Sequence, residues 1–244
     1  QLGVFERLKP HGLQLHKAEI RFADGSLRQQ RTLAGLSRVH VFARQTLIEA
    51  LRDTALEAGA QIITNSTVTA SVEGRALRTA DGKTHAADLI VAADGVGSAV
   101  RNSLPMRSSF RILPTIINPF LIEGGEFTPE DKTVEHWWGS RRIGVTPAGP
   151  NQTYVYMVAP ERDAIARQLP LDVRDWSARF PKLAGLMEAL GRSPSTQFNY
   201  GVVDCEKWAM GRVAILGDAA HGLPPTLGQG AGLALINAYA LSHF

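Results

Sequence analysis

Residues 211–235 read Gly211-Arg212-Val213-Ala214-Ile215-Leu216-Gly217-Asp218-Ala219-Ala220-His221-Gly222-Leu223-Pro224-Pro225-Thr226-Leu227-Gly228-Gln229-Gly230-Ala231-Gly232-Leu233-Ala234-Leu235. The short apolar run before Gly217 suits a strand buried on both faces. It delivers Asp218 at its carboxyl end, where open α/β sheets bind ligands. An ionised carboxylate only accepts hydrogen bonds, which suits a polyol hydroxyl. The loop that follows holds two prolines and three alternating glycines, and a helix is predicted from about Gly230. Such glycines let a backbone approach a flat ligand closely. The helix start offers unpaired N–H groups and about half a positive charge, which would stabilise negative charge developing on a bound ring. These glycines are not a Gly-x-Gly-x-x-Gly fingerprint, because position 233 is Leu and the segment begins too far from its strand.

Working outward, the same grammar recurs in Asp88-Leu89-Ile90-Val91-Ala92-Ala93-Asp94-Gly95-Val96-Gly97-Ser98-Ala99-Val100-Arg101. A strand buried on both faces ends in Asp-Gly, and Ser98 and Arg101 follow on a helical turn; the plain alternative is a turn with a solvated Arg. A third string, Val39 to Leu51, sets Arg44 where a helix begins, and there too a solvated Arg is the plain alternative. Leu47, Ile48, Leu51, Ala55 and Leu56 share one face of that helix, and Gly59 stands at its C-terminal cap position. Hairpins are predicted to turn at Asp24-Gly25 and Asp81-Gly82, with short strands at Ile62-Ile63 and at Val68.

From about 105 to 203 the composition becomes β-rich. Residues 133–138, 142–145 and 153–158 read as strands of a mostly antiparallel sheet, and a helical stretch over 172–190 is interrupted by Pro181. The order α/β, β-rich, α/β predicts an α/β protein, α+β in its inserted part. A partial Rossmann-like nucleotide domain carries an inserted, mostly antiparallel sheet.

Composition excludes other classes. The 244 residues are 44% hydrophobic and 20% charged, so the chain is neither disordered nor low-complexity. A chain of this length buries roughly 70% of its unfolded surface and needs no metal or disulfide staple. The 26 basic and 23 acidic side chains leave a scattered net charge of +3, too small to argue for nucleic acid. One cysteine, Cys205, excludes a disulfide framework and a multi-thiolate metal site; it fits a reducing, cytoplasmic setting and reads as a small packing residue. No run of 18 apolar residues can span a membrane as a helix. The seven histidines show no metal-ligand spacing, and no Gly-x-Ser-x-Gly elbow occurs. In His136-Trp137-Trp138 a strand sets His136 and Trp138 on one face and Trp137 on the other; one aromatic lining a substrate pocket is the functional reading and core packing the plain one. His221 reads as a buttress of its loop.

Together the three strings resemble the class A flavoprotein aromatic hydroxylases, the family of para-hydroxybenzoate hydroxylase and salicylate hydroxylase. The family's Asp-Gly motif is Asp94-Gly95 here and its Gly-Asp motif is Gly217-Asp218, with Pro224-Pro225 and Gly228-Gln229-Gly230 following at the family's spacing. The resemblance implies bound FAD, NAD(P)H as co-substrate, dioxygen, and a small aromatic or conjugated substrate hydroxylated through a flavin C4a-hydroperoxide. It implies that Asp218, beside Gly217, holds a ribityl hydroxyl. Gly228, Gln229, Gly230, Ala231 and Gly232 present backbone N–H groups to the flavin pyrimidine, and Pro225 lies beside the C4a edge. Arg44 faces the pyrophosphate, Asp94 and Gly95 lie near it and support reductant binding, and Val68 touches the adenine through its backbone. No metal and no nucleic acid are implied. Residues 39–104 and 204–244 become the FAD-binding parts, 1–38 strands of the substrate domain, and 105–203 the substrate-binding sheet.

Two small departures stand out. Gly232 occupies a position where many relatives carry Asn, and Asn237 one where many carry Asp. The family's opening strand, Gly-x-Gly-x-x-Gly turn and helix do not occur in this sequence, so the chain is expected to be a piece of a longer monooxygenase, inactive and weak in FAD binding by itself. The alternative is a truncated, non-catalytic relative serving as a binding or interaction module. Halogenation or epoxidation on the same scaffold is a third reading, although the Trp-x-Trp-x-Ile-Pro string of flavin halogenases is absent.

Overall fold

In the computed structural model, which describes residues 3–33, 39–224 and 228–243, both expected Asp-Gly pairs do turn the chain. Gly25 and Gly82 sit at φ +88° and +84°, a region costly for any residue with a Cβ. Asp24 completes the first turn by accepting from the Ser26 N–H at 2.8 Å, an Asx turn.

The first third of the chain forms α1 (Val4–Leu8), β1 (Leu13–Leu15), β2 (Lys17–Phe22), β3 (Leu27–Thr32), β4 (Val39–Val41), α2 (Arg44–Glu57), β5 (Val68–Val72) and β6 (Ala76–Thr79). Next come β7 (Thr84–Ala86), β8 (Ile90–Ala92), α3 (Ala99–Asn102), β9 (Ser108–Glu123), β10 (Lys132–Trp138), β11 (Arg141–Gly149) and β12 (Gln152–Pro160). The last third holds α4 (Val173–Arg179), α5 (Ala184–Gly191), β13 (Phe198–Cys205), β14 (Ala209–Met210), β15 (Val213–Ile215), α6 (Asp218–His221) and α7 (Gly230–Leu241). Pro181 divides α4 from α5 as expected, because it lacks the N–H that a continuous helix needs there. The mixed α/β class read from the sequence is the class observed. By packing, the chain forms two compact units, residues 1–62 with 114–198 and residues 63–113 with 199–244.

The largest sheet has the order β13-β9-β12-β11-β10-β2-β3. The pairs β9–β12, β12–β11, β11–β10 and β2–β3 are antiparallel, and β10 runs parallel to β2. Period-two alternation sorts the first unit's side chains. Ile143, Val145, Val155 and Met157 enter a core closed by Trp176 and Phe180 of α4 and by Leu186, Met187 and Leu190 of α5. Residues of opposite parity, among them Glu135, Trp137, Arg142, Tyr154 and Tyr156, occupy the other face. At the sheet's helical side Arg141 is 1% exposed. Its guanidinium donates to both oxygens of Asp163 at 2.7 and 2.8 Å and also to Asp175, and it lies 4.6 Å from the Trp176 ring centre. A buried cation persists where its donors find carboxylates.

In the second unit β14-β15-β8 and β5-β6-β7 form two three-stranded sheets. Ile90, Ala92, Val100, Val213, Ile215 and Ala220 make its core, with Val68 and Cys205 packed against it.

Three expectations need correction. Ile62-Ile63 is not a strand: neither residue joins a ladder, and they are 51% and 64% exposed. The run 88–93 is not buried on both faces. Ile90 and Ala92 are buried, but Leu89 and Val91 point outward from β8, the margin of its sheet among the described residues. The apolar face of α2 contains no fully buried residue. In each case the composition is apolar, yet the described residues supply no surface to cover it.

Candidate functional site

β8 and β15 lie side by side and parallel, with Ile90 opposite Val213 and Ala92 opposite Ile215. Parallel neighbours end together, so the Asp94-Gly95 and Gly217-Asp218 segments leave the sheet at the same end. The Leu216 N–H donates to the Ala92 carbonyl at 2.9 Å and closes the ladder there. Beyond that point the two loops touch. A Cβ on Gly222 would stand 2.7 Å from Cγ1 of Val96 and 3.2 Å from the Asp218 carbonyl oxygen, so only glycine lets the loops approach this closely.

Arg101 fastens them. It is 2% exposed, and its guanidinium donates to the Val96 carbonyl of one loop and to the Ala219 carbonyl of the other, each at 2.8 Å. Ser98, fully buried, caps α3 by accepting from the Arg101 N–H at 3.0 Å. The solvated-Arg alternative for Arg101 therefore fails. Its signal was the spacing Ser98-x-x-Arg101 directly after a strand and Asp-Gly, which places the Arg one helical turn inside the loop.

Asp94 is exposed, and its Oδ2 accepts from the Val100 N–H at 3.3 Å. Asp218 is exposed at the first position of α6. Its Oδ1 lies 4.0 Å from where a Cβ on Gly230 would stand, which puts the carboxylate beside the start of α7. Gly217 is buried at φ +55°, and a Cβ there would meet the Ala234 side chain at 3.1 Å. Its N–H donates to Oδ1 of Asn237 at 3.4 Å, and His221 Nε2 shares that oxygen at 2.5 Å. His221 thus buttresses the loop from beneath, with Trp208 5.0 Å away ring to ring. Asn237 is a structural link that sequence reading left undefined.

Around Gly95, Gly228 and Gly232 an added Cβ would meet nothing within 4 Å among the described residues. Gly228, Gln229, Ala231 and Gly232 are exposed and Gly230 half-buried. Pro225 lies outside the described residues. Val68 opens β5, half-buried against the second unit's core. Arg44 belongs to the first unit, exposed at the start of α2, whose N-cap Ala43 supplies no side-chain acceptor. The donor set fits a flavin nucleotide: open glycine backbone, an exposed carboxylate free to accept from a hydroxyl, and a twelve-residue helix presenting its amino end. No cluster of metal-ligating side chains is found among the described residues.

Residues 1–243 match the FAD binding domain family. The chain belongs to this family. It is 34% identical over 217 residues to a 2-heptyl-3-hydroxy-4(1H)-quinolone synthase of Mycobacteroides abscessus, covering 85% of this chain and 57% of that one. It is 32% identical over 181 residues to the aurachin C monooxygenase/isomerase of Stigmatella aurantiaca, covering 70% and 46%. Among solved structures, a 2-methyl-3-hydroxypyridine-5-carboxylic acid oxygenase superposes with a TM-score of 0.89 at 28% identity, over 99% of this chain and 67% of that one. The chain thus spans about half the length of the curated relatives it matches. The FAD binding domain family and relatives named as a monooxygenase/isomerase and an oxygenase agree with what the resemblance implied, and the fold is shared with the solved oxygenase.

In this FAD binding domain family member the sheet's outward face carries chemistry that the sequence did not announce. Glu135 stands opposite Gly144, and Gly144 opposite Tyr156. Tyr156 reaches across the glycine to donate to Glu135 Oε2 at 2.6 Å, and Trp137 Nε1 donates to the other oxygen. A Cβ on Gly144 would lie 2.0 Å from the Tyr156 ring. On the inner face His136 is buried beside a cavity of about 330 Å³ lined by Phe127, Val145 and Leu186 among others. Burial pushes its pKa down, opposed by its hydrogen bond to the Phe22 backbone, so it stays neutral. Trp138, expected on the same face as His136, is 42% exposed at the last residue of the strand.

Proposed function

We propose that the protein containing this chain is an FAD-dependent monooxygenase that hydroxylates a flat aromatic or conjugated small molecule, with NAD(P)H and dioxygen as co-substrates. The single observation that supports it best is the pair of loops at one end of β8 and β15, tied by Arg101, each offering an exposed carboxylate. In this reading residues 39–104 and 204–244 serve the cofactor, and residues 1–38 and 105–203 serve the substrate.

Asp218 would accept from a ribityl hydroxyl, with Gly217 setting its approach. The backbone N–H groups from Gly228 through Gln229, Gly230 and Ala231 to Gly232 would face the flavin pyrimidine, where the α7 dipole favours negative charge. Pro225 would border the reactive edge of the ring. Arg44 would face the pyrophosphate, Asp94 and Gly95 would lie near it, and Val68 would meet the adenine through its backbone. The flavin, when bound, supplies acceptance of reducing equivalents and activation of dioxygen. The protein's part is to orient both ring systems and keep water away. Relatives named for a quinolone and for a hydroxypyridine point to an oxygen-bearing nitrogen heterocycle as substrate.

The test uses the natural full-length protein: FAD content after purification, and NAD(P)H oxidation with and without 4(1H)-quinolones and hydroxypyridines. Stoichiometric FAD and ring-stimulated oxidation are expected. Asp218→Ala should cut flavin retention, since a lost buried hydrogen bond costs roughly 1–3 kcal/mol. Tight flavin with no oxidation on any ring would favour a non-catalytic binding module instead.

A further inference from the structure

The helix-side face of the large sheet holds a cavity of about 330 Å³ whose walls all belong to the first unit. Val134 of β10 and Val145 of β11, directly opposite in the ladder, line it from the sheet. Leu183 and Leu186 line it from α5 and the residue before it, and Phe127 from the segment ahead of β10. His136, one alternation on from Val134, lines it as well. At 8% exposure this side chain is more than nine-tenths buried. It donates to the Phe22 backbone carbonyl, which leaves Nδ1 as the acceptor of the ring. Nδ1 is buried and has no partner among the described residues. Such an orphan is costly, and a side chain needed for packing alone would carry no ring nitrogen to strand. Water answers it poorly. The cavity is far larger than one water, and a buried water needs roughly two to four polar partners. The other polar side chain of the lining, Lys182, is exposed with Gly185 where the cavity meets solvent, and its charge acts on Asp24. An apolar void with one buried acceptor fits an organic molecule with one donor.

We propose that this cavity is a separate ligand site, on the reverse of the sheet from Glu135, Trp137 and Tyr156. Its ligand is a small, uncharged, largely apolar molecule carrying a hydroxyl, of which phenol is the simplest aromatic case. The hydroxyl donates to His136 Nδ1, and the hydrocarbon body lies against Val134, Val145, Leu186 and Phe127. A carboxylate is disfavoured, because it brings no proton for Nδ1 and loses its water against apolar walls. The site requires no flavin. It shares β10 and β11 with the outward face, since alternate residues of a strand face opposite ways.

The experiment titrates the natural full-length protein, isotope-labelled at its histidine ring nitrogens, with phenol, toluene and benzoate, and follows it by NMR. The His136 resonances are those missing from His136→Phe. Phenol should move the His136 Nδ1 signal saturably. Toluene, the same ring with a methyl in place of the hydroxyl, should need at least about tenfold more, and benzoate should leave the signal in place. Gly185→Leu should fill the void from a helix position where a Cβ would stand 3.8 Å from Phe127. The phenol response should then be lost while the melting temperature holds. A His136 signal that phenol leaves in place, or that toluene moves at the same concentrations, overturns the proposal and leaves the void to water. A phenol response of unchanged strength in folded Gly185→Leu overturns it too. Phenol bound only elsewhere, as at a substrate site, leaves the His136 signal in place and counts against the proposal. The contrast between phenol and toluene on the natural protein decides even if Gly185→Leu does not fold.

Discussion

Replacing Arg101 by Met keeps much of the side chain's length and removes its charge and donors. In the folded chain those donors make two bonds of 2.8 Å, to the Val96 and Ala219 carbonyls, at 2% exposure. Hydrogen bonds from a charged group contribute about 1.5–3 kcal/mol each, so losing both costs on the order of 3–6 kcal/mol. Part returns, because Nε of Arg101 is buried without a partner, and removing such a group relieves about 1–3 kcal/mol. The net is a loss of roughly 2–3 kcal/mol. For a urea slope of about 2–3 kcal/mol/M, that moves the unfolding midpoint down by about 1 M. The same change frees the two loops from each other, so FAD content after purification should fall along with the midpoint. Arg101→Lys should recover little, since one ammonium does not reproduce the fork that spans both carbonyls. An Arg101→Met protein with an unshifted midpoint and full flavin content would show that the loops hold each other without this residue, and the reasoning would fail.

Two further outcomes follow from the packing. Gly222→Ala puts a methyl 2.7 Å from Val96 Cγ1 and 3.2 Å from the Asp218 carbonyl; overpacking of this kind costs about 1–3 kcal/mol, and both the melting temperature and flavin retention should drop. Asp163 is held below the usual carboxylate range by its hydrogen bonds from Arg141, and Asp175 by those from Arg179 and then Arg141. Because the folded pKa values are depressed, their contribution is present above the unfolded value near ~3.9 and is lost as pH falls through the folded values. The thermal midpoint should therefore drop steeply with acidification below about pH 4, and Asp163→Asn should flatten that dependence. Parallel pH curves for the two proteins would remove the Arg141 network from the account.

What the sequence determined by itself was local. Asp24-Gly25 and Asp81-Gly82 turn because glycine alone tolerates the φ that the turn requires, and Pro181 breaks a helix because it has no N–H. Alternation named β10, β11 and β12, since the two faces of a strand are written two residues apart. Gly217-Asp218 and Asp94-Gly95 were legible as loops at strand ends, and the family they belong to followed from their spelling. Only the tertiary structure decided that β8 and β15 are neighbours, so that two motifs 123 positions apart open at one end. Only packing made Arg101 a buried clamp, made Gly144 the floor under Tyr156, and left Ile62 and Ile63 uncovered. The reason is physical: φ limits and periodicity are properties of a few consecutive residues, whereas burial and hydrogen-bond partners depend on which distant segment arrives, and a sequence window contains no record of that.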